Sequence, residues 1–218
     1  MEKRYMRNIP ALSEAEQRLL GQKTVAVVGC GGLGGYLAEF SGRLGIGRIR
    51  VVDGDVFEES NLNRQLLSEP ALLGQNKAEV AAARLRRINP RITVEAYPVF
   101  LTEKNAAEIL SGCDMVLDGL DRVEARRLLG EAGVPCVFGG IGGWTAQAAL
   151  SLPGDGLVHR LYPEEAPVPD KSALSFTPAL CAAIQMALCV RYLTGRAVES
   201  GVLHYIDTLS GEVELFSL

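Results

Sequence analysis

The chain has 218 residues, 48% of them hydrophobic, and a formal net charge of −4 at pH 7. That length can bury a full core in one large domain, and the acidic balance excludes the broad basic footprint that nucleic acid or an anionic membrane requires. No window approaches the roughly 20 apolar residues of a membrane span, and the opening MEKRYMRNIP lacks the apolar core of a signal peptide, so a cytoplasmic location is expected.

A polar, partly helical lead over 13–23 precedes the β-branched run TVAVVG at 24–29, and a glycine cluster then opens a helix over 34–44. RIRVVD at 48–53 predicts a second strand, NKAEVAAARLRRIN at 76–89 a helix with an apolar stripe, ITVEAYPV at 92–99 a third strand, and EKNAAEILSG at 103–112 another helix. The alternation continues with a strand at 114–120, a helix at 123–133 and a strand at 134–140. Five short strands separated by helices predict an α/β fold, a Rossmann-like doubly wound, mainly parallel sheet.

After Gly140 the pattern changes. WTAQAALSL at 144–152 reads as a strand, and GDGLVHRLYPEEAPVPDKS at 154–172 as a mobile loop. A helix over 178–195 follows, with Pro178 in its first turn and Gly195 at its end, and LHYID with VELFS form a closing antiparallel hairpin. The expected organisation is one domain over 1–218, with a nucleotide-binding half at about 20–140 and a closing half at about 141–218.

GCGGLGG after VAVV matches G-x-G-x-x-G through Gly29, Gly31 and Gly34, with an additional Gly32. Glycine lets backbone N–H groups approach a phosphate, and a helix N-terminus adds roughly half a positive charge. Asp53 ends the second strand, from which a carboxylate accepts hydrogen bonds from ribose hydroxyls. NAD, FAD and ATP can all use this device.

What separates them lies downstream. A dinucleotide oxidoreductase needs few cations, because hydride transfer releases no phosphate. Here Asn61, Arg64 and Gln65 follow the second strand and Lys77 opens the next helix, a set that fits a triphosphate. Nucleotidyl transfer builds charge on the α-phosphate and on departing pyrophosphate, where Arg, Lys and a divalent ion stabilise most. Asp118 and Asp121 end the fourth strand and are expected to project toward the same crevice; one of them can hold Mg²⁺, while the alternative role for Asp121 is to cap the following helix.

RYMRN, VGCGGLGG, VVDGDVFEESNLNRQ, GQNKAEVAAARLRRINP and LDGLD together resemble the ThiF/MoeB/HesA family, bacterial relatives of the ubiquitin-activating enzymes, from Arg4 to about Gly195. The resemblance implies ATP-dependent adenylation of the C-terminal Gly-Gly carboxylate of a small ubiquitin-like sulfur carrier in thiamine, molybdopterin or related sulfur transfer. By motif, Asp53 would bind ribose with Asp55 beside it, Asn61, Arg64 and Lys77 would surround the phosphates, and Gln65 would support them. Asp121 would hold Mg²⁺, and Arg7 would reach into the neighbouring subunit of a homodimer. A non-catalytic scaffold of the same fold and an NAD-dependent oxidoreductase are the competing readings.

Three departures from the family stand out. The five cysteines, Cys30, Cys113, Cys136, Cys181 and Cys189, contain no C-x-x-C pair, so no zinc is expected, and they read as reduced thiols. Asp121 is followed by Arg122 where many relatives have Asn, which bears on how the adenine side or the metal is supported. The loop before the last long helix has no cysteine for a thioester or persulfide.

Cys181 and Cys189 read as core, and Cys30 is given no role. His159 and His204 are expected in satisfied surface or core positions. Trp144 either borders a groove for an extended peptide tail or packs in the core. YPEEAPVPD reads as a solvated loop, with folding over the carrier tail as the alternative, and Arg84, Arg86, Arg87 and Arg91 as mainly a solvated helix end.

Overall fold

The computed structural model describes residues 2–163 and 172–218. After a 3-10 turn at Lys3–Asn8, helix α1 (Glu14–Leu20) starts at a capping box in which Ser13 and Glu16 exchange hydrogen bonds. The alternating unit then runs β1 (Thr24–Val28), α2 (Gly32–Leu44), β2 (Arg48–Val52), α3 (Lys77–Ile88), β3 (Thr93–Tyr97), α4 (Glu103–Leu110), β4 (Met115–Asp118), α5 (Val123–Glu131) and β5 (Cys136–Gly142). The closing part holds β6 (Thr145–Ser151), α6 (Leu157–Leu161), α7 (Thr177–Leu193), β7 (Val202–Asp207) and β8 (Glu212–Ser217).

The eight strands form one sheet in the order β3-β2-β1-β4-β5-β6-β7-β8. Strands β1 to β5 pair in parallel and β6 to β8 are added antiparallel, which is the expected doubly wound sheet with an antiparallel extension. Alternate strand residues serve opposite faces: Val25 and Val27 of β1 pack with Leu37 of α2 and Leu85 of α3, whereas Ala26 and Val28 pack with Ile109 of α4 and Leu129 of α5. Burial on both faces explains why the parallel strands read as continuous apolar runs.

Two readings of the sequence need correction here. Within 154–172, expected to be a loop, α6 forms because the Asp155 carboxylate accepts from Leu152 N at 2.7 Å and Leu157 N at 2.9 Å, and Leu157 and Val158 are buried. The remainder of the expected loop over the carrier, 164–171, lies outside the described residues. Nor are all the arginines of ARLRRINPR solvated. Arg84 donates to the buried Glu39 of α2 at 2.7 Å, and Arg86 to the Val94 carbonyl at 2.8 Å, so both tie α3 to its neighbours.

Burial pushes the Glu39 carboxyl up, but hydrogen bonds from Arg84 and Arg43 outweigh it and hold its pKa below the ordinary 4.5. A depressed carboxylate adds stability that is present above the unfolded-state pKa and is lost as pH falls through the folded value. Glu39→Gln is therefore expected to lower Tm at pH 7 by roughly 2–4 °C, for about 1 kcal/mol. The gap between parent and variant should narrow as pH falls below the unfolded-state value of about 4.3 and close as it falls through the lower folded one; a gap that persisted unchanged in acid would remove the charge from this account.

Candidate nucleotide site

At the carboxyl edge of the sheet, Asp118 of β4, Val28 of β1, Val52 of β2 and Tyr97 of β3 stand side by side in register. The loops after these four strands all leave from this edge, where ligands of open α/β sheets bind. The β1–α2 turn is drawn tight by contacts within the chain. Gly29 has φ 87°, and a Cβ on Gly34 would lie 1.7 Å from the Gly29 carbonyl oxygen. Gly31 and Gly32 differ, since a Cβ there would meet only side chains, Gln65 at 3.5 Å and Pro178 at 3.6 Å. Helix α2 has Gly31 at its N-cap position and no side-chain cap, which leaves its first N–H groups available to an anion.

Asp53 sits beside this turn, accepting from Cys30 N at 2.6 Å and from Asp55 N at 2.9 Å. Burial lifts its pKa above the ordinary carboxylate value, although those two N–H groups and Lys77 favour the anion. Lys77, 6% exposed, is the first residue of α3, and its Nζ lies 2.5 Å from Asp55 Oδ2. Asn76 locks this arrangement: its Oδ1 caps α3 through Ala78 N and Glu79 N, while its Nδ2 donates to the carbonyls of Asp53 and Asp55. Sequence reasoning passed over Asn76, although Asn immediately before an apolar periodic run is an N-cap signal.

Asn61 and Gln65 are both buried, on the turn that follows β2. The Asn61 Oδ1 accepts from Glu58 N at 3.0 Å, and its carbonyl accepts from the backbone N–H of Arg64 and Gln65, so Asn61 shapes the turn that presents them. Gln65 lies against Gly31, and its buried Oε1 has no hydrogen-bond partner among the described residues. Arg64 is partly buried; its Nη1 donates to Ser60 O at 3.0 Å and Asn63 Oδ1 at 2.8 Å, both on its own turn.

The two aspartates after β4 part company. Asp118 is fully buried, ion-paired with Arg126 at 3.1 Å and bonded to Leu120 N and Gly139 N. Its expected projection into the crevice is thus corrected, because a carboxylate that far inside is retained by its internal partners. Asp121 is exposed, and Arg122 rather than Asp121 takes the cap position of α5, without a side-chain hydrogen bond. Arg126, for which the sequence predicts only a place in the helix over 123–133, also donates to the carbonyls of Leu120 and Gly139 and to the Tyr162 hydroxyl.

The R-Y-x-R segment divides in the same manner. Arg4 and the Tyr5 hydroxyl bond to Asn89 at the end of α3, whereas Arg7 is exposed and makes no hydrogen bond or ion pair with the described residues. All five cysteines are free, and burial pushes the Cys181 and Cys189 thiols up to about 12, consistent with core positions. Trp144 is 44% exposed against Phe176, which rules out core packing, and it lines a cavity of about 400 Å³ with Ala173, Leu174 and Asp207. His159 stands 3.8 Å from the Glu131 carboxylate on the surface, a partner not visible in the sequence. Among the described residues no helix is long and apolar enough to cross a membrane.

A doubly wound sheet with an uncapped glycine turn, a carboxylate at the end of β2 and buried Lys77 beside it defines a nucleotide-binding α/β enzyme. The chain belongs to the ThiF family, whose model matches residues 4–218, and it is an adenylyltransferase. It is 37% identical over 210 residues to the sulfur carrier protein adenylyltransferase of Thermus thermophilus, a match that covers 88% of this chain and 78% of that protein. It is 36% identical over 205 residues to the SAMP-activating enzyme E1 of Haloferax volcanii, covering 88% and 75%. Among solved structures, Escherichia coli MccB with ATP superposes with a TM-score of 0.79 at 21% identity, covering 100% of this chain and 71% of that one, which is a likeness of fold.

Proposed function

We propose that this enzyme uses ATP to adenylate the C-terminal Gly-Gly carboxylate of a small ubiquitin-like sulfur-carrier protein in thiamine, molybdopterin or related sulfur transfer, and that it works as a homodimer. The observation that carries the reading is the gathering of Asp53, Lys77 and the Arg64–Gln65 turn around one uncapped helix N-terminus. The names of the Thermus and Haloferax relatives support the class of partner.

Asp53 holds the ribose hydroxyls, with Asp55 fixing Lys77 beside it. Backbone N–H groups at Gly31 and Gly32 meet the phosphates, and Arg64 and Lys77 stabilise the charge that grows on the α-phosphate and the departing pyrophosphate. Gln65 supports the phosphate loop through its Oε1, unpartnered among the described residues, and its contact with Gly31. The carrier carboxylate is ionised at neutral pH, so attack needs alignment and no general base. Asp121, the exposed carboxylate at this edge, fits Mg²⁺, which usually takes one or two carboxylates together with phosphates and water; the ion supplies neutralisation of phosphate charge when bound. An extended carrier tail fits the cavity beside Trp144, because Ala173 on its lining accepts from Asn63, the neighbour of Arg64, at 3.2 Å.

Exchange of labelled pyrophosphate into ATP is the direct test. Exchange should require a ubiquitin-like carrier ending in Gly-Gly and should stop when its terminal carboxylate is amidated; tight NAD binding without exchange would overturn the reading.

Exposed Arg7, unpaired among the described residues, is assigned to the neighbouring subunit's phosphates. Arg7→Ala and Arg64→Ala proteins should each be nearly inactive alone. Mixing them should restore about a quarter of parental exchange, since half of the randomly assorted dimers then contain one intact site. A mixture as inactive as its components would place Arg7 outside the partner's site.

A further inference from the structure

Asn63 is exposed, yet both polar ends of its side chain are engaged, and each end reaches a different part of the site. Its Oδ1 accepts from Arg64 Nη1 at 2.8 Å, and its Nδ2 donates to the Ala173 carbonyl at 3.2 Å across 110 residues of sequence. Arg64 carries the guanidinium assigned to the phosphates. Ala173 lines the cavity beside Trp144.

The Arg64 end leaves the cation usable. Both of its bonds to the described residues leave through Nη1, so the edge formed by Nε and Nη2 stays open for the paired oxygens of a phosphate. The Ala173 end is tied to the tryptophan twice. Gly143, which precedes Trp144, donates its N–H to the Ser172 carbonyl at 2.8 Å and pairs with Ala173 in a β-bridge. Further along the same segment, the Phe176 ring lies 5.6 Å from the indole, centroid to centroid.

Hydrogen bonds of an exposed amide break and re-form readily, because water competes for both of its ends. Phosphates on the open edge of Arg64 fix the guanidinium, and with it the orientation of the Asn63 amide and its hold on Ala173. We propose that Asn63 is a positioning residue that couples the two ends of this site, so that a nucleotide on Arg64 orders the cavity wall that receives the carrier tail. The proposal rests on the function given above. Ordering done by the first ligand is a cost the second no longer bears, so nucleotide and tail bind with positive and reciprocal cooperativity. The role needs an acceptor and a donor on one short side chain: aspartate can hold Arg64 but has no N–H for Ala173, and alanine has neither.

Trp144 is the only tryptophan of the chain and is exposed enough to be quenched, so its fluorescence reports on the cavity wall. The test is acrylamide quenching of Trp144 in the full chain, without nucleotide and at saturating ATP with Mg²⁺, while ATP binding is followed by calorimetry. ATP should lower quenching in the parent by about twofold. In Asn63→Ala and Asn63→Asp, saturating ATP should leave quenching unchanged, and both should melt close to the parent because the side chain is exposed. A response that survived in Asn63→Asp would limit Asn63 to holding Arg64, and one that survived in Asn63→Ala would mean that the nucleotide reaches the wall by another route; either overturns the coupling. So would an unsubstituted chain that bound ATP with no change in quenching, a result that leaves the adenylation reading standing. A chain that bound no ATP would instead remove that reading, and the coupling with it.

Discussion

Replacing Arg64 with alanine is expected to slow carrier-dependent ATP–pyrophosphate exchange about a hundredfold, or roughly 3 kcal/mol, the usual effect of deleting one donor aimed at developing charge. The effect should fall on kcat, with little change in KM for ATP, because the charge neutralised on the leaving pyrophosphate is largest in the transition state. Arg64→Lys should recover part of the rate, since it keeps the charge but loses the planar fork. Thermal stability should barely change. Arg64 is partly buried, and among the described residues its side-chain bonds run to Ser60 and Asn63 on its own turn, contacts worth little to the global fold. Lys77→Ala is a poorer test, because Lys77 is 6% exposed and paired with Asp55, so its loss removes both rate and packing. Exchange at the parental rate in Arg64→Ala would show that this guanidinium does not serve the phosphates.

How much of this was legible in the sequence depends on how local the cause is. The sheet was readable because strands buried on both faces leave continuous apolar runs and each helix carries its own periodicity. Asp53 and Lys77 were readable because strand ends and helix starts mark where side chains enter the crevice. What could not be read was set by distant partners. Asp118 and Asp121 are three residues apart and chemically identical, yet Arg126, Gly139 and the N–H of Leu120 take the first into the core and leave the second exposed. Helix α6 hid for another reason: Asp155 organises it by two backbone bonds, and in a stretch rich in Gly, Pro and charge nothing local distinguishes that from a turn. The bond from Asn63 to Ala173 joins positions 110 residues apart, which composition and spacing do not reveal.

Gly34→Ala is expected to destabilise the protein by more than about 4 kcal/mol, a fall in Tm of more than roughly 10 °C, whereas Gly32→Ala should melt within a few degrees of the parent. The difference lies in what each added methyl meets. At Gly34 it would overlap the Gly29 carbonyl oxygen at 1.7 Å, and that carbonyl cannot yield, because Gly29 N is bonded to Val52 O at 2.8 Å and the same oxygen is wedged against Gly119. At Gly32, the first residue of α2, the methyl would touch only Pro178 at 3.6 Å, and alanine's better helix propensity offsets a small strain. Equal melting temperatures for the two variants would refute this packing account. The outcome also bears on what the glycine pattern means. If its first and last glycines are required for β1, α2 and the start of the β4–α5 loop to close on one another, then G-x-G-x-x-G reports a way of turning from strand to helix that any ligand of this fold inherits. On the proposed function, the choice of a triphosphate has to come from residues the turn does not need for its own closure, and Arg64, Gln65 and Lys77 meet that condition.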